Sequence, residues 1–215
     1  MLTISYTSEF SLLCALSPPA TLSNQQRLWQ FAKWVEDLPN VQETVVGMNN
    51  LTLFFSSSPD TTIIKTLLEQ WETLQYQSFQ EIGRLIEIPV HYGGEVGLDL
   101  AAVAQFHRCS PQEIIRRHTE PTYTVFMIGF QPGFPYLGGL PQHLHTPRHT
   151  KPRAKVPAGA VGIGGEQTGI YPFSSPGGWQ LIGQTSIPLF DANKVPPVLL
   201  QAGDKVKFFA ERIEL

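Results

Sequence analysis

Twelve of the chain's 18 glycines and eight of its 18 prolines fall between Gly129 and Gly183. That density excludes a long helix, because proline removes a backbone donor and glycine costs conformational entropy in any regular element. Short strands joined by shaped loops remain. β-Prone pieces at residues 161–163, 180–182, 198–200 and 205–209 sit between turns, and 121–128 precedes them as an apolar strand. The pattern reads as a β-barrel or sandwich whose long loops carry function. Within it, GFQPGFPYLGGLP (129–141) holds four glycines, three prolines and three aromatics without a charge. It is too broken for a helix, too glycine-rich for a core strand and too apolar for a solvated loop.

Ahead of residue 90 the texture is regular. Residues 2–6 and 10–16 read as strand. Ser23 and Gln26 form a capping-box pair before a helix with Leu28, Phe31, Ala32 and Val35 on one face. Residues 41–47 and 51–55 alternate as two strands about a Met48-Asn49-Asn50 turn. Asp60 caps a second helix striped by Ile63, Ile64, Leu67, Leu68, Trp71 and Leu74, and residues 85–90 close the unit as a strand. The order βαββαβ is that of the ferredoxin-like split βαβ sandwich. Two short helices follow at 99–106 and 110–118, the second with Ser110 at the N-cap, Pro111 at N1 and Glu113 at N3. The expected class is α+β: a ferredoxin-like domain over residues 1–84, then a barrel domain over 85–215.

Composition narrows the function. A net charge of −3 argues against non-specific nucleic-acid binding. Cys14 and Cys109 are the only cysteines and lack CxxC spacing, which argues against a disulfide framework or a zinc site and fits a reducing compartment. The first residues carry neither the basic nor the long apolar region of a signal peptide, and no apolar run approaches a membrane span. A cytoplasmic protein is expected.

Several segments invite a chemical reading. VGIGGEQTG (161–169) has the glycines of a dinucleotide loop, but Pro172 and the Ser175-Pro176-Gly177-Gly178 run leave no room for the helix that such a loop needs. No GxxxxGK[ST] and no GxSxG occurs, so neither a phosphate loop nor a nucleophile can be named. His143, His145 and His149 lie in a proline-broken segment without a nearby carboxylate and read as loop residues; His118, at a helix C-terminus, reads as a partner of the helix dipole. TPRHTKPRAKVPAG (146–159) concentrates Arg148, Lys151, Arg153 and Lys155 in eight residues, spaced by prolines. Guanidinium forks suit carboxylate or phosphate, and a solvated basic loop is the competing reading.

Taken together, GFQPGFPYLGGL, TPRHTKPRAKVPAG, VGIGGEQTGIYPFSSPGGWQLIG and the later LFD closely resemble the family of the 5-oxoprolinase B subunit, also called the PxpB, KipI or allophanate hydrolase subunit 1 family. The resemblance extends upstream to IPVHYGGEVGLDL and the SPQEIIRRH helix, and so covers essentially the whole chain. Three positions depart from the family pattern: Ala160 where Ser is usual, Gln184 where Arg is frequent, and Leu98 where Pro is usual.

The resemblance implies that the barrel is cyclophilin-like. It also implies a multi-subunit enzyme, in which this subunit joins the A and C subunits to open 5-oxoproline to L-glutamate while ATP becomes ADP and phosphate. ATP, with Mg2+, belongs to the complex, and the subunit alone is expected to be inactive. The alternatives are a regulatory protein that inhibits a sensor histidine kinase and a partner lobe in urea or allophanate metabolism. Arg148, Arg153, Lys155, Gln167, Thr168 and Tyr171 are the candidates for substrate or phosphate binding. Phe130, Pro132, Gly133, Phe134 and Tyr136, with Ser175, Pro176, Gly177, Gly178 and Trp179, are expected to form a stiff wall facing a ligand or a partner. No metal ligand is expected, and no catalytic residue is assigned.

Overall fold

In the computed structural model, residues 1–74 and 83–215 are described. The chain divides into two compact units, Met1–Glu81 and Ile82–Leu215.

The first unit runs β1 (Leu2–Ser8), β2 (Ser11–Leu16), α1 (Leu22–Val35), β3 (Val41–Gly47), β4 (Asn50–Phe55) and α2 (Thr61–Thr73). Its strands form an antiparallel sheet in the order β1-β2-β4-β3. Leu28, Phe31 and Val35 of α1 and Leu67 and Trp71 of α2 share one core with Leu12, Cys14, Leu51 and Leu53 of the sheet. Asp60 caps α2, accepting from the amides of Thr62 and Ile63 at 2.9 and 3.0 Å. At α1 the cap is Thr21 rather than Ser23: Thr21 has the extended backbone a cap requires and accepts from the Asn24 amide.

The second unit begins with β5 (Leu85–Gly93), α3 (Leu100–Phe106) and α4 (Pro111–Thr119). It continues through β6 (Tyr123–Ile128), β7 (Pro135–Gly138), β8 (Arg153–Val156), β9 (Ala160–Gly164), β10 (Gln167–Ile170), β11 (Ser175–Gly177), β12 (Gln180–Gln184) and β13 (Lys205–Glu214). Seven strands close a barrel in the order β10-β7-β6-β13-β5-β12-β9, while β8 and β11 form a separate two-stranded ribbon. The α+β class, with a sheet-and-helix unit ahead of a barrel, is as the sequence indicates. The element order of the first unit is ββαββα, not βαββαβ. Ser11–Leu16 supply a sheet strand, and the strand from Leu85 pairs in parallel with β13 over nine positions inside the barrel. The alternation of Ile86, Ile88, Val90 and Tyr92 announces a strand, but nothing local says which sheet it joins.

The barrel is filled by Ile88, Val90, Tyr92, Val125, Leu137, Val161, Ile163, Ile182, Val206 and Phe208, to which α3 and α4 add Leu100, Val103, Ile114 and Ile115. His118 belongs to the same interior. It is fully buried and stacks on Phe208 with ring centroids 4.6 Å apart. The Thr168 hydroxyl donates to the Gly162 carbonyl at 3.0 Å, so it accepts from His118 Nε2–H at 2.8 Å. Nδ1 is left to accept from the Tyr92 hydroxyl, also at 2.8 Å. That pattern fixes a neutral imidazole, and burial pushes its pKa down to about 3. The expectation of a charged dipole partner fails because the helix end delivers the ring into the barrel, not to solvent.

The glycine-rich stretch 129–141 also departs from its reading, since residues 135–138 form a barrel strand. Gly138 is possible in a core strand, indeed required, because the Phe126 ring lies where its Cβ would stand. Residues 198–200 make only an isolated bridge, between Val198 and Phe190. Among the described residues no helix is long and apolar enough to cross a membrane.

Candidate functional site

A satellite cluster of Phe134, Val156, Ala160, Tyr171, Trp179 and Leu181, with Tyr136 packed against it, is distinct from the barrel core and draws Val156 from the ribbon. Phe134 sits at its centre, edge-on to Trp179 at 5.4 Å and to Tyr171 at 5.1 Å. Such T-shaped pairs set the electropositive edge of one ring against the face of the next. A Cβ on Gly164 would stand 2.5 Å from the Trp179 ring, so this strand must be bare for the indole to lie across it. The ribbon is registered by Ser175 opposite Val156 and Gly177 opposite Arg153.

The polar anchor of this region is Asp99. It occupies the N-cap position of α3 but makes no side-chain cap bond. Its carboxylate instead accepts from Arg153 Nη2 at 2.6 Å through Oδ1 and from the Leu181 amide at 2.7 Å through Oδ2. His149 Nε2 lies 3.3 Å from Oδ2, in ion-pair range, while its own amide donates to the Gly178 carbonyl at 2.7 Å. The Asp99 side chain is 7% exposed, so ribbon and helix are joined by a carboxylate nearly removed from water. Arg153 Nη1 is buried as well and has no hydrogen-bond partner.

The two arginines of the basic loop therefore separate. Arg153 is half-buried and committed to Asp99, whereas Arg148 is exposed, with its guanidinium carbon 5.6 Å from the Trp179 ring centroid. Two matched anion-binding forks are not what the structure builds. Lys155 is exposed on β8 and Gln167 is half-exposed at the start of β10. Thr168 is fully buried with its hydroxyl spent on His118 and Gly162, which removes it from any solvent-facing ligand site. Tyr171 is likewise buried. Burial raises the pKa of both Tyr136 and Tyr171, and the Arg148 charge opposes that rise at each ring.

The expected wall divides too. Phe134 and Trp179 turn inward and Gly133 is buried, so these three are not presented to a partner. Phe130 remains 60% exposed at a positive φ of 64°, and Pro132 and Pro176 are exposed with it. Tyr136, Ser175, Gly177 and Gly178 are half-buried. Phe130, edge-on to Phe134 and Tyr171, and Arg148, over Trp179, are thus the exposed groups seated on a buried aromatic floor. Asp99 went unnoticed in the sequence because a lone acid before an apolar helix reads as a cap. His149, read there as a loop residue without a nearby carboxylate, stands beside that acid.

Residues 2–200 match the family described as carboxyltransferase domain, subdomain C and D. The chain belongs to that family. It is 58% identical over 209 residues to the B subunit of 5-oxoprolinase from Haemophilus influenzae, covering 97% of each chain. Among solved structures it resembles TTHA0988, at 32% identity and a TM-score of 0.77 over 94% of this chain, and spans 40% of that longer chain. The Kluyveromyces lactis urea carboxylase shares the fold, with a TM-score of 0.81 over 97% of this chain and 22% of its own, at 19% identity. The carboxyltransferase-type fold and the oxoprolinase resemblance thus meet in one chain.

Proposed function

We propose that this chain is the B subunit of an ATP-dependent 5-oxoprolinase, a cytoplasmic hydrolase assembled with A and C subunits that opens 5-oxoproline to L-glutamate. The observation that carries the reading is the 58% identity, spread over 97% of both chains, to a protein named for that role.

The chemistry explains why a nucleotide is needed. A lactam carbonyl is a poor electrophile, and ATP, bound with Mg2+ by the complex as a substrate, supplies the phosphoryl group that activates its oxygen. Among the described residues no glycine loop leads into a helix, and the role proposed for this chain is to bind and orient. Arg148 suits that role. It is an exposed, permanently charged fork held over an indole face, where the negative charge of a phosphoryl group or carboxylate is stabilised. Asp99 fixes Arg153, and through it the β8 end of the ribbon, so it is a positioning residue.

Arg148→Ala is expected to reduce turnover by the assembled complex about tenfold, roughly 1.4 kcal/mol of transition-state stabilisation, while the subunit stays folded. Wild-type turnover in that variant would show the basic loop to be merely solvated.

A further inference from the structure

A cleft of about 810 Å³ opens on the barrel unit beside the ends of β12, β5 and β13. Gln184 on β12 stands opposite His91 on β5, and His91 stands opposite Arg212 on β13. Directly opposed residues share one face of a sheet, so the three polar side chains form a row, and all three line the cleft. A bulge makes the row possible. Ala210 faces Val90 and Arg212 faces His91, so Glu211 is an extra residue, and the distortion turns both Glu211 and Arg212 to the cleft. Ile187 and Pro188 add apolar wall.

The row has unused capacity. Gln184 donates from Nε2 to the Ala158 carbonyl at 2.6 Å, leaving Oε1 as an acceptor. His91 Nε2 is buried and makes no hydrogen bond; Glu214 Oε2 approaches it only to 3.6 Å. The other oxygen of Glu214 meets the Arg212 guanidinium. One carboxylate of the chain itself therefore lies between an arginine and a histidine, engaging the first closely and the second loosely. Glu211 on the same cleft disfavours a multiply charged anion such as phosphate. A guanidinium, an imidazole and an amide oxygen together match a monocarboxylate with an N–H beside it. The volume lies within the range of small-molecule sites.

We propose that this cleft binds a small carboxylate bearing a neighbouring N–H, of the amino-acid or lactam-acid class. The ligand carboxylate takes the place of Glu214 between Arg212 and His91, and its N–H donates to Gln184 Oε1. Glu214 is then an intramolecular competitor that any ligand must displace. Taking 5-oxoproline and L-glutamate as probes rests on the oxoprolinase reading above; the Arg212–His91 pair does not.

The test is a titration of the full-length chain, following the His91 imidazole signals by NMR, assigned with a His91→Asn variant. 5-Oxoproline, L-glutamate, acetate and inorganic phosphate are the probes. A saturable shift with 5-oxoproline or L-glutamate is expected. Arg212→Gln is expected to weaken it about tenfold, the loss of one charge-assisted hydrogen bond. Glu214→Gln, by removing the competitor, is expected to tighten it about threefold, the scale of a part-exposed ion pair. The tightening is an effect that misfolding cannot imitate. No saturable shift, unchanged affinity in both variants, or an equal response to acetate and phosphate would overturn the assignment. If the assembled complex turns over 5-oxoproline while His91 reports no binding, the cleft fails and the oxoprolinase reading stands. Binding at His91 with a complex inert toward 5-oxoproline would uphold the cleft and overturn the oxoprolinase reading.

Discussion

Lowering the pH from 7 to 5 is expected to cost the barrel unit about 2 kcal/mol through His118 alone. The folded imidazole is neutral, completely buried and hydrogen-bonded at both nitrogens, with a pKa pushed from 6.5 down to about 3. The unfolded chain takes up a proton near pH 6.5 and the folded chain does not. Stability from this group is therefore complete above about pH 6.5 and is lost progressively as the pH falls toward 3, at about 1.4 kcal/mol per pH unit. The assay is urea denaturation at pH 7 and pH 5, followed through the amide signals of β9 and β12, for the wild type and His118→Gln. The variant is less stable at both pH values, but its loss between them should be smaller than that of the wild type by about 2 kcal/mol. Other titrating groups, His107 among them, act in both proteins and cancel to first order. Equal losses in the two proteins would refute the reasoning, because His118 would then be no more reluctant to take a proton folded than unfolded.

Asp99→Asn should destabilise the barrel unit by about 2–3 kcal/mol in urea melts, since it weakens a nearly buried ion pair and leaves Arg153 undercompensated. Gly164→Ala should lower the melting temperature through about 1–3 kcal/mol of overpacking, because its new methyl group meets the Trp179 ring.

Much of this structure was open to local reading. Both capped helices at Asp60 and Ser110 formed as their signals indicate, and the glycine- and proline-rich half became short strands. What escaped reading was long-range. β5 carries the alternation of any half-buried strand, and only β13, more than 110 residues later, makes it a barrel strand. The stretch 129–141 is too rich in glycine by composition for a core strand, but composition does not reveal that Phe126 needs the space at Gly138. At the site, charge pattern singled out the basic loop but had no means to divide it. Arg148 and Arg153 carry the same side chain five positions apart. Only the fold, by bringing Asp99 beneath one of them, commits Arg153 inward and leaves Arg148 to solvent. Phe134 and Trp179 were expected at a surface because no helix or regular sheet could be drawn over them; the two-stranded ribbon, with strands of four and three residues, was too short to foresee.

The central claim is tested most directly by reconstitution with the A and C subunits, measuring ADP and L-glutamate released from ATP and 5-oxoproline. The account predicts no oxoproline-dependent ATP hydrolysis by this chain alone and stoichiometric release of both products when all three subunits are present. Robust turnover by the isolated chain, or a fully assembled complex that leaves 5-oxoproline intact, would contradict it.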